Sequence, residues 1–281
     1  MNIREIISST RAYNLHSHTQ FCDGRADMAR FVEAAIEAGI QHLGFTPHSP
    51  IPIASPCNMS ADAVDEYIRT FHNLKDEHAG EINLYLSMEI DYLGKNWGAS
   101  HEYFRNLPLD YRLSSIHFIP TQEGELIDID GSPKRFIEKM HNNFHDDIRY
   151  VVDTFYRHTL DMIEAGDFDI IGHFDKVGFN ASHFRPGIED EDWYRKHLDN
   201  VIDALIAKDI IIEVNTKAWE APVGSTEEEA MKYVPRMFPS PHTVRRLRDA
   251  GAVLAVNSDV HYPERITFGR QAAFDIIDGK V

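Results

Sequence analysis

YNLHSH, residues 13–18, is the first strand-like stretch of the chain, and AVLAVNSDVH, residues 252–261, is the last. Successive side chains of a strand face opposite ways, so His16 and His18 share one side, as do Asp259 and His261. A lone His-x-His is a weak signal. Its echo at the far end of the chain gives it weight, because in a sheet that closes on itself the first and last strands are neighbours and the two pairs meet.

Between these ends the sequence alternates. HLGFT (42–46), INLYLSMEI (82–90), YRLSSIHFI (111–119), FDIIGHF (168–174) and IIIEVNT (210–216) are strand-like, which makes seven such segments. Helical patterns separate them. One is capped by Asp27 and stopped by Gly39, one opens at Ser60 or Asp62, others cover residues 133–165, 191–208 and 270–277, and PSPHTVRRLRDAG (239–251) is a Pro-initiated helix with Gly at its end. Alternation of this kind predicts an α/β fold of parallel strands joined by crossover helices. Pattern alone leaves a closed barrel and an open doubly wound sheet both standing. In either, ligands gather at the carboxyl ends of the strands.

The 281 residues suit one domain, 1–281, with no convincing linker. No apolar run reaches the roughly 18 residues of a membrane helix, and the first residues lack a secretory pattern, so a cytoplasmic protein is expected. Cys22 and Cys57 are too few for a disulfide framework. A net charge of −17 argues against a nucleic-acid partner, and any phosphorylated substrate then needs a local positive site within an acidic body. Sixteen histidines are the first sign of metal.

Candidate ligands fall one by one near strand ends: His16 and His18, Asp23 in the FCDG loop, His48, Glu89, His117, His173, Asp259 and His261. Any one alone reads as a surface or satisfied core residue, but nine at matching ends exceed what one ion needs and imply two or three ions sharing a bridge. Glu89 suits the bridge, since a carboxylate offers one oxygen to each of two ions. Three divalent ions against Asp23, Glu89 and Asp259 leave a charge of about +3, the positive site a phosphate monoester requires. His141, His145 and His183 are weaker candidates for contact with substrate.

NLHSHTQFCDG, FTPHSP, SMEID, SSIHF, DIIGHFDKVGFN, EVNTKAW and NSDVHYP together resemble the polymerase and histidinol phosphatase (PHP) domain family, from Asn14 to Pro263. Within it the chain is most similar to the stand-alone histidinol-phosphate phosphatases. The resemblance implies a distorted barrel of seven parallel strands holding three divalent ions, of zinc, manganese or iron. By position, His16, His18, Glu89 and Asp259 would hold the first; Glu89, His117 and His173 the second; Asp23, His48 and His261 the third. Two departures stand out. The family's Thr-Asp-His is Thr46-Pro47-His48 here, and Lys217 stands where an arginine usually follows the Glu-x-Asn-Thr strand, ahead of an acidic insertion, GSTEEEA.

The expected chemistry is attack on phosphorus by a metal-bridged hydroxide, with Glu89 bridging and Asp259 or His261 serving in proton transfer. Lys176, Lys217 and Arg185 are candidates for the phosphate, and Ser114 and Asp128 for the organic part of a small phosphorylated substrate; Asp130 belongs to the same acidic wall. The main alternatives are another small phosphomonoester or nucleotide as substrate, an amidohydrolase-like activity, and a non-catalytic metal-binding protein. The amidohydrolase class usually has a single metal-linked aspartate at its last strand, often with a bridging lysine, whereas here Glu89 takes the bridge position and Asp259 is followed by His261.

Overall fold

The computed structural model describes residues 2–281. Its strands are β1 (Tyr13–Asn14), β2 (His42–Phe45), β3 (Asn83–Leu86), β4 (Glu89–Asp91), β5 (Leu113–Ser115), β6 (Phe118–Pro120), β7 (Leu126–Asp128), β8 (Ile170–Ile171), β9 (Ile211–Asn215) and β10 (Leu254–Asn257). Two parallel sheets carry the fold, in the orders β1-β2-β3 and β10-β9-β8-β5-β4, and β6 and β7 form a separate antiparallel hairpin. β3 and β4 are halves of one run. Tyr67 bridges the break from the helix Val64–Glu77, its hydroxyl donating to the carbonyls of Phe45 and Ser87. Apart from the hairpin, the strands therefore take seven positions around a ring.

The ring is distorted, since no continuous ladder closes it. Isolated parallel bridges, His48 with Glu89 and Ser17 with Val260, join the two sheets. Where β1 meets β10, two asparagine side chains replace ladder bonds: Leu15 N–H donates to Asn257 Oδ1 at 2.9 Å and Ser258 N–H to Asn14 Oδ1 at 3.0 Å. Buried backbone groups must find partners, and these amides supply them where the strands splay. The first and last strand segments are thus neighbours.

Every residue of β2, β4, β5 and β9 is buried, as expected for strands covered by helices outside and by side chains within. The helices Ile148–Ala165 and Asp192–Lys208 pack together on one flank, burying Val151, Val152, Phe155, Val201 and Leu205. Met28–Glu37 and Val64–Glu77 cover β2 and β3, with Phe31, Val32, Tyr67 and Phe71 inward. The helical stretch expected over residues 133–165 divides into Pro133–Asn143 and Ile148–Ala165, because His145 and Asp146 adopt φ of 51° and 61°, which no helix tolerates. None of the described helices is long and apolar enough to cross a membrane.

Candidate metal centre

The side chains that the sequence placed at strand ends converge inside one end of the ring. His16 and His18 leave β1 with their rings buried, and their Nε2 atoms lie 3.2 Å apart. Glu89 Oε2 stands 3.4 Å from the first and 3.5 Å from the second. Asp259 Oδ1 adds a fourth atom, 3.0 Å from His18 Nε2 and 3.7 Å from His16 Nε2. Two nitrogens each about 2.05 Å from a tetrahedral ion lie roughly 3.3 Å apart, close to the observed spacing.

Glu89 extends the cluster. His48 Nδ1 is 3.1 Å from Oε2, while His173 Nε2 and His117 Nε2 lie 2.9 and 3.5 Å from Oε1. A third group forms around Asp23, whose Oδ1 lies 3.2 Å from His261 Nε2 and 3.8 Å from both His48 Nε2 and His18 Nδ1. Three sets spaced for metal therefore overlap: His16, His18 and Glu89; His48, Glu89 and His117; and His18, Asp23, His48 and His261. All nine expected ligand residues come together. The grouping is more entangled than the sequence suggested, with His18 and His48 each facing two sets.

The donor chemistry fits cations. Asp23 Oδ1, His48 Nδ1, Glu89 Oε2 and His117 Nε2 are buried and have no hydrogen-bond partner, an arrangement that costs free energy unless an ion completes it. Two of the histidines are held from behind by carboxylates. His16 Nδ1 donates to Glu213 Oε1 at 2.6 Å and His117 Nδ1 to Asp91 Oδ1 at 2.7 Å, leaving each Nε2 lone pair facing inward. Glu213 accepts three further bonds, from Asn257 Nδ2, Asn215 Nδ2 and the His173 N–H. Asn58, from the proline-rich loop after His48, donates to Asp91 Oδ2 at 2.8 Å.

Electrostatics follow from this crowding. Burial opposes ionisation of Glu89, but His117, His16 and His48 outweigh it and hold the carboxyl well below its usual range. Burial likewise opposes ionisation of Asp259, which Lys217 and His16 hold well below normal. Burial works to lower His16, yet Glu213, Asp259 and Glu89 raise it well above the ordinary imidazole value. His18, buried between His261 and His48, is driven well below it.

Local backbone makes these positions possible. His173 and Asp259 have φ of 20° and 47°, a region costly for residues other than glycine. The turn at His173 follows Gly172, where a Cβ would come within 2.3 Å of Ser115 Oγ. In the FCDG loop a Cβ on Gly24 would lie 2.4 Å from Thr19 N, so only glycine lets Asp23 double back toward His18.

Around the rim, Lys217 Nζ lies 3.2 Å from Asp259 Oδ1 and 3.3 Å from His261 Nε2. Lys176 pairs with Asp130 at 2.6 Å. Other expected contacts are placed elsewhere. Ser114 Oγ donates to the Ile90 carbonyl and rests on Met162; one residue on, Ser115 faces inward and donates to Glu89 Oε1 at 2.7 Å. The alternation of β5 decides between them. Arg185 pairs with Glu191 and is half exposed, and Asp128 pairs with Lys139. His141, His145 and His183 pair with Asp146, Glu123 and the Phe179 carbonyl, outside the cluster. Past the acidic insertion the chain returns beside Lys217: Arg236 N–H and the Tyr233 hydroxyl both donate to Ala218 O, and a groove of about 560 Å³ there is lined by Trp219, Pro222, Tyr233 and Arg265.

Glu213, Asp91 and Asn58 were not foreseen. Period-two spacing carried the signal for two of them, since Asp91 shares a face with Glu89 and Glu213 with Asn215.

Overlapping histidine–carboxylate sets at the carboxyl ends of parallel strands define a protein with the ligand groups to bind divalent metal ions. The PHP domain family matches residues 14–217, and the chain belongs to that family. Among curated relatives, a probable histidinol-phosphatase of Deinococcus radiodurans is 24% identical over 90% of this chain and 87% of its own. The histidinol-phosphatase of Bacillus subtilis is 30% identical over 40% of this chain and 46% of its own. Of solved structures, the histidinol phosphate phosphatase of Lactococcus lactis, complexed with zinc, L-histidinol and phosphate, superposes with a TM-score of 0.69 at 18% identity, over 95% of this chain and 92% of that one. A Listeria monocytogenes protein shares the fold at a TM-score of 0.77 and 17% identity, over 92% and 99% of the two chains.

Proposed function

We propose that this chain is a metal-dependent phosphomonoesterase that hydrolyses L-histidinol phosphate to L-histidinol and phosphate, a step of histidine biosynthesis in the cytoplasm, carried out by one domain. The observation that carries this reading is the convergence of unpartnered buried ligand atoms on Glu89, with two lysines at the rim. The names of the relatives, and the zinc, histidinol and phosphate in the Lactococcus structure, support the substrate.

Three divalent ions, zinc, manganese or iron, suit the nine ligands: His16, His18, Glu89 and Asp259; Glu89, His117 and His173; Asp23, His48 and His261. When bound, such ions supply Lewis acidity and lower the pKa of coordinated water from about 15.7 towards ~7. The chain's own groups do the rest. Glu213 and Asp91 fix the tautomers of His16 and His117 by accepting from Nδ1. Lys217 and Lys176 bind phosphate oxygens as point charges. Asp259 and His261, whose polar atoms both meet Lys217 Nζ, are placed to relay a proton from that ammonium to the departing alkoxide. Burial of His16, His18, Glu89, His117, His173 and Asp259 keeps bulk water from that side of the site.

The test is phosphate release from L-histidinol phosphate by protein supplied with manganese or zinc, beside a panel of sugar and nucleotide phosphates, with Glu89→Ala as the control for contaminants. Histidinol phosphate is expected to lead in kcat/KM by orders of magnitude. Because Lys217 lacks the bidentate grip of the family's arginine, another phosphomonoester in the lead would transfer the substrate assignment and leave the metal chemistry standing.

A further inference from the structure

A lysine suited to a phosphate is already engaged in this structure. Lys176 Nζ lies 2.6 Å from Asp130 Oδ2, and both side chains are largely buried, 15% and 24% exposed. Backbone bonds hold the two beside the metal ligands. Lys176 N–H donates to the carbonyl of His173, and Ile129 N–H, one residue before Asp130, donates to that of His117. Asn180 then clamps the loop, giving its amide to the carbonyls of Ile129 and Gly131 at 3.3 Å each. Asp128 is turned away, neutralised by Lys139 at 3.0 Å.

Drawing one partner out of a sheltered ion pair strands the other charge. A simple phosphate monoester brings a second anion beside Asp130, and the single charge of Lys176 cannot neutralise both. A ligand that brings its own cation replaces both contacts at once. We infer that the Lys176–Asp130 pair selects phosphomonoesters with an ammonium on the carbon next to the one bearing the ester: the phosphate takes Lys176 and the ammonium takes Asp130. The short separation of the pair sets the class. Charges so close are bridged by a 2-aminoalkyl phosphate, whereas a long spacer between phosphate and amine overshoots. The inference rests on the phosphatase reading above and names what that site recognises; L-histidinol phosphate is one member of the class.

Two matched pairs of substrates test it on the metal-loaded protein: O-phosphoethanolamine against ethyl phosphate, and L-histidinol phosphate against its N-acetyl derivative. The wild type is expected to favour the amine of each pair by about tenfold or more in kcat/KM, the effect of one charge-assisted hydrogen bond. Asp130→Asn brings both ratios close to one and raises kcat/KM for the amine-free members, because Lys176 is no longer tied. Asp130→Glu retains part of the preference and serves where the asparagine variant does not fold. No amine preference in the wild type, or a common drop on all four substrates in Asp130→Asn, overturns the inference. If the ethanolamine pair behaves as expected while histidinol phosphate is inert, the histidinol assignment fails and the selectivity stands. If histidinol phosphate is hydrolysed with no response to acetylation or to Asp130→Asn, the reverse holds.

Discussion

Glu213→Gln is the perturbation whose outcome the structure constrains most tightly. The carboxylate is fully buried and meets four donors: His16 Nδ1 at 2.6 Å and Asn257 Nδ2 at 3.1 Å on Oε1, His173 N–H and Asn215 Nδ2 at 3.0 Å each on Oε2. Glutamine has the same size but only one acceptor, so an N–H₂ group must face two donors on one side. If its oxygen serves His16, the His173 N–H is stranded; Asn215 still has Asp259 Oδ2 at 3.1 Å. One orphaned buried backbone donor costs about 1–3 kcal/mol, which falls on the stability of the metal-stripped protein. If instead the amide nitrogen faces His16, the ring must accept at Nδ1 and carry its proton on Nε2, where it can no longer ligate. In both orientations His16 loses an ionic partner, a change that typically lowers metal affinity by about 10–100-fold. The assay is metal content against a graded chelator, read by mass spectrometry, with thermal unfolding of the stripped protein alongside. Metal affinity within twofold of wild type would refute the reasoning, whatever the activity. A loss of stability with unchanged affinity would make Glu213 a structural residue only.

Three further outcomes follow from the same geometry. Glu89→Ala loses more than one equivalent of metal and His16→Ala about one, because Glu89 Oε2 faces His16, His18 and His48 while Oε1 faces His117 and His173; equal losses from the two variants in a metal analysis would contradict the bridging role. Burial, reinforced by Asp23, pushes the Cys22 thiol up to about 12, and burial with Asp23, Asp128 and Asp130 raises Cys57. A raised thiol pKa means less thiolate, so alkylation at pH 8 is slow for both and quickens only as pH climbs beyond the normal thiol range; rapid labelling of Cys22 at pH 8 is the contrary result. In a timed chelation, the ion proposed at Asp23, His48 and His261 is expected to leave before the one proposed at His16, His18, Glu89 and Asp259, which residual metal content and the response of His48→Ala would reveal.

Much of this was legible in sequence, and the exceptions have physical causes. The seven strand segments stand where alternation placed them, and the first and last meet as the His-x-His and Asp-x-His echo required. Periodicity says nothing of closure, which depends on the side chains of Asn14 and Asn257 across the β1–β10 gap. YRLSSIHFI reads as one strand, yet it leaves its sheet after Ser115 and turns Phe118–Pro120 into a hairpin with Leu126–Asp128. Nothing in its composition marks that exit. The break at His145 and Asp146 was hidden for a similar reason, as positive φ there is not signalled by glycine. Strand parity separates Ser114 from Ser115, and it needs a register that the sequence does not supply. Candidate ligands were easier to pick out than their supports because histidines at strand ends are conspicuous, whereas Glu213 and Asp91 look like ordinary acids until a ring nitrogen is seen against them.

The order of metal loss turns on Pro47. Backbone pairing accommodates proline here: Thr46 N–H donates to Ser17 O, Glu89 N–H donates to Pro47 O, and Ser49 N–H to Glu89 O, so the missing Pro47 N–H is not called upon. What is lost is a carboxylate next to His48. His16 and His117 each give Nδ1 to a buried carboxylate, and His261 gives its own to the Asp259 carbonyl at 3.0 Å. His48 has no such support: Nδ1 faces Glu89 Oε2, Nε2 faces Asp23, and the ring is positioned by its contacts with His18 and His117. Both nitrogens are thus committed to ligand groups, and nothing fixes the tautomer. The same set is also the most open, with Asp23 25% and His48 and His261 12% exposed, against 0% for His16 and His18. Weaker orientation and easier access by water act in one direction. If chelation instead empties the buried set first, orientation by Glu213 does not govern retention, and the departure from Thr-Asp-His is neutral for the metal.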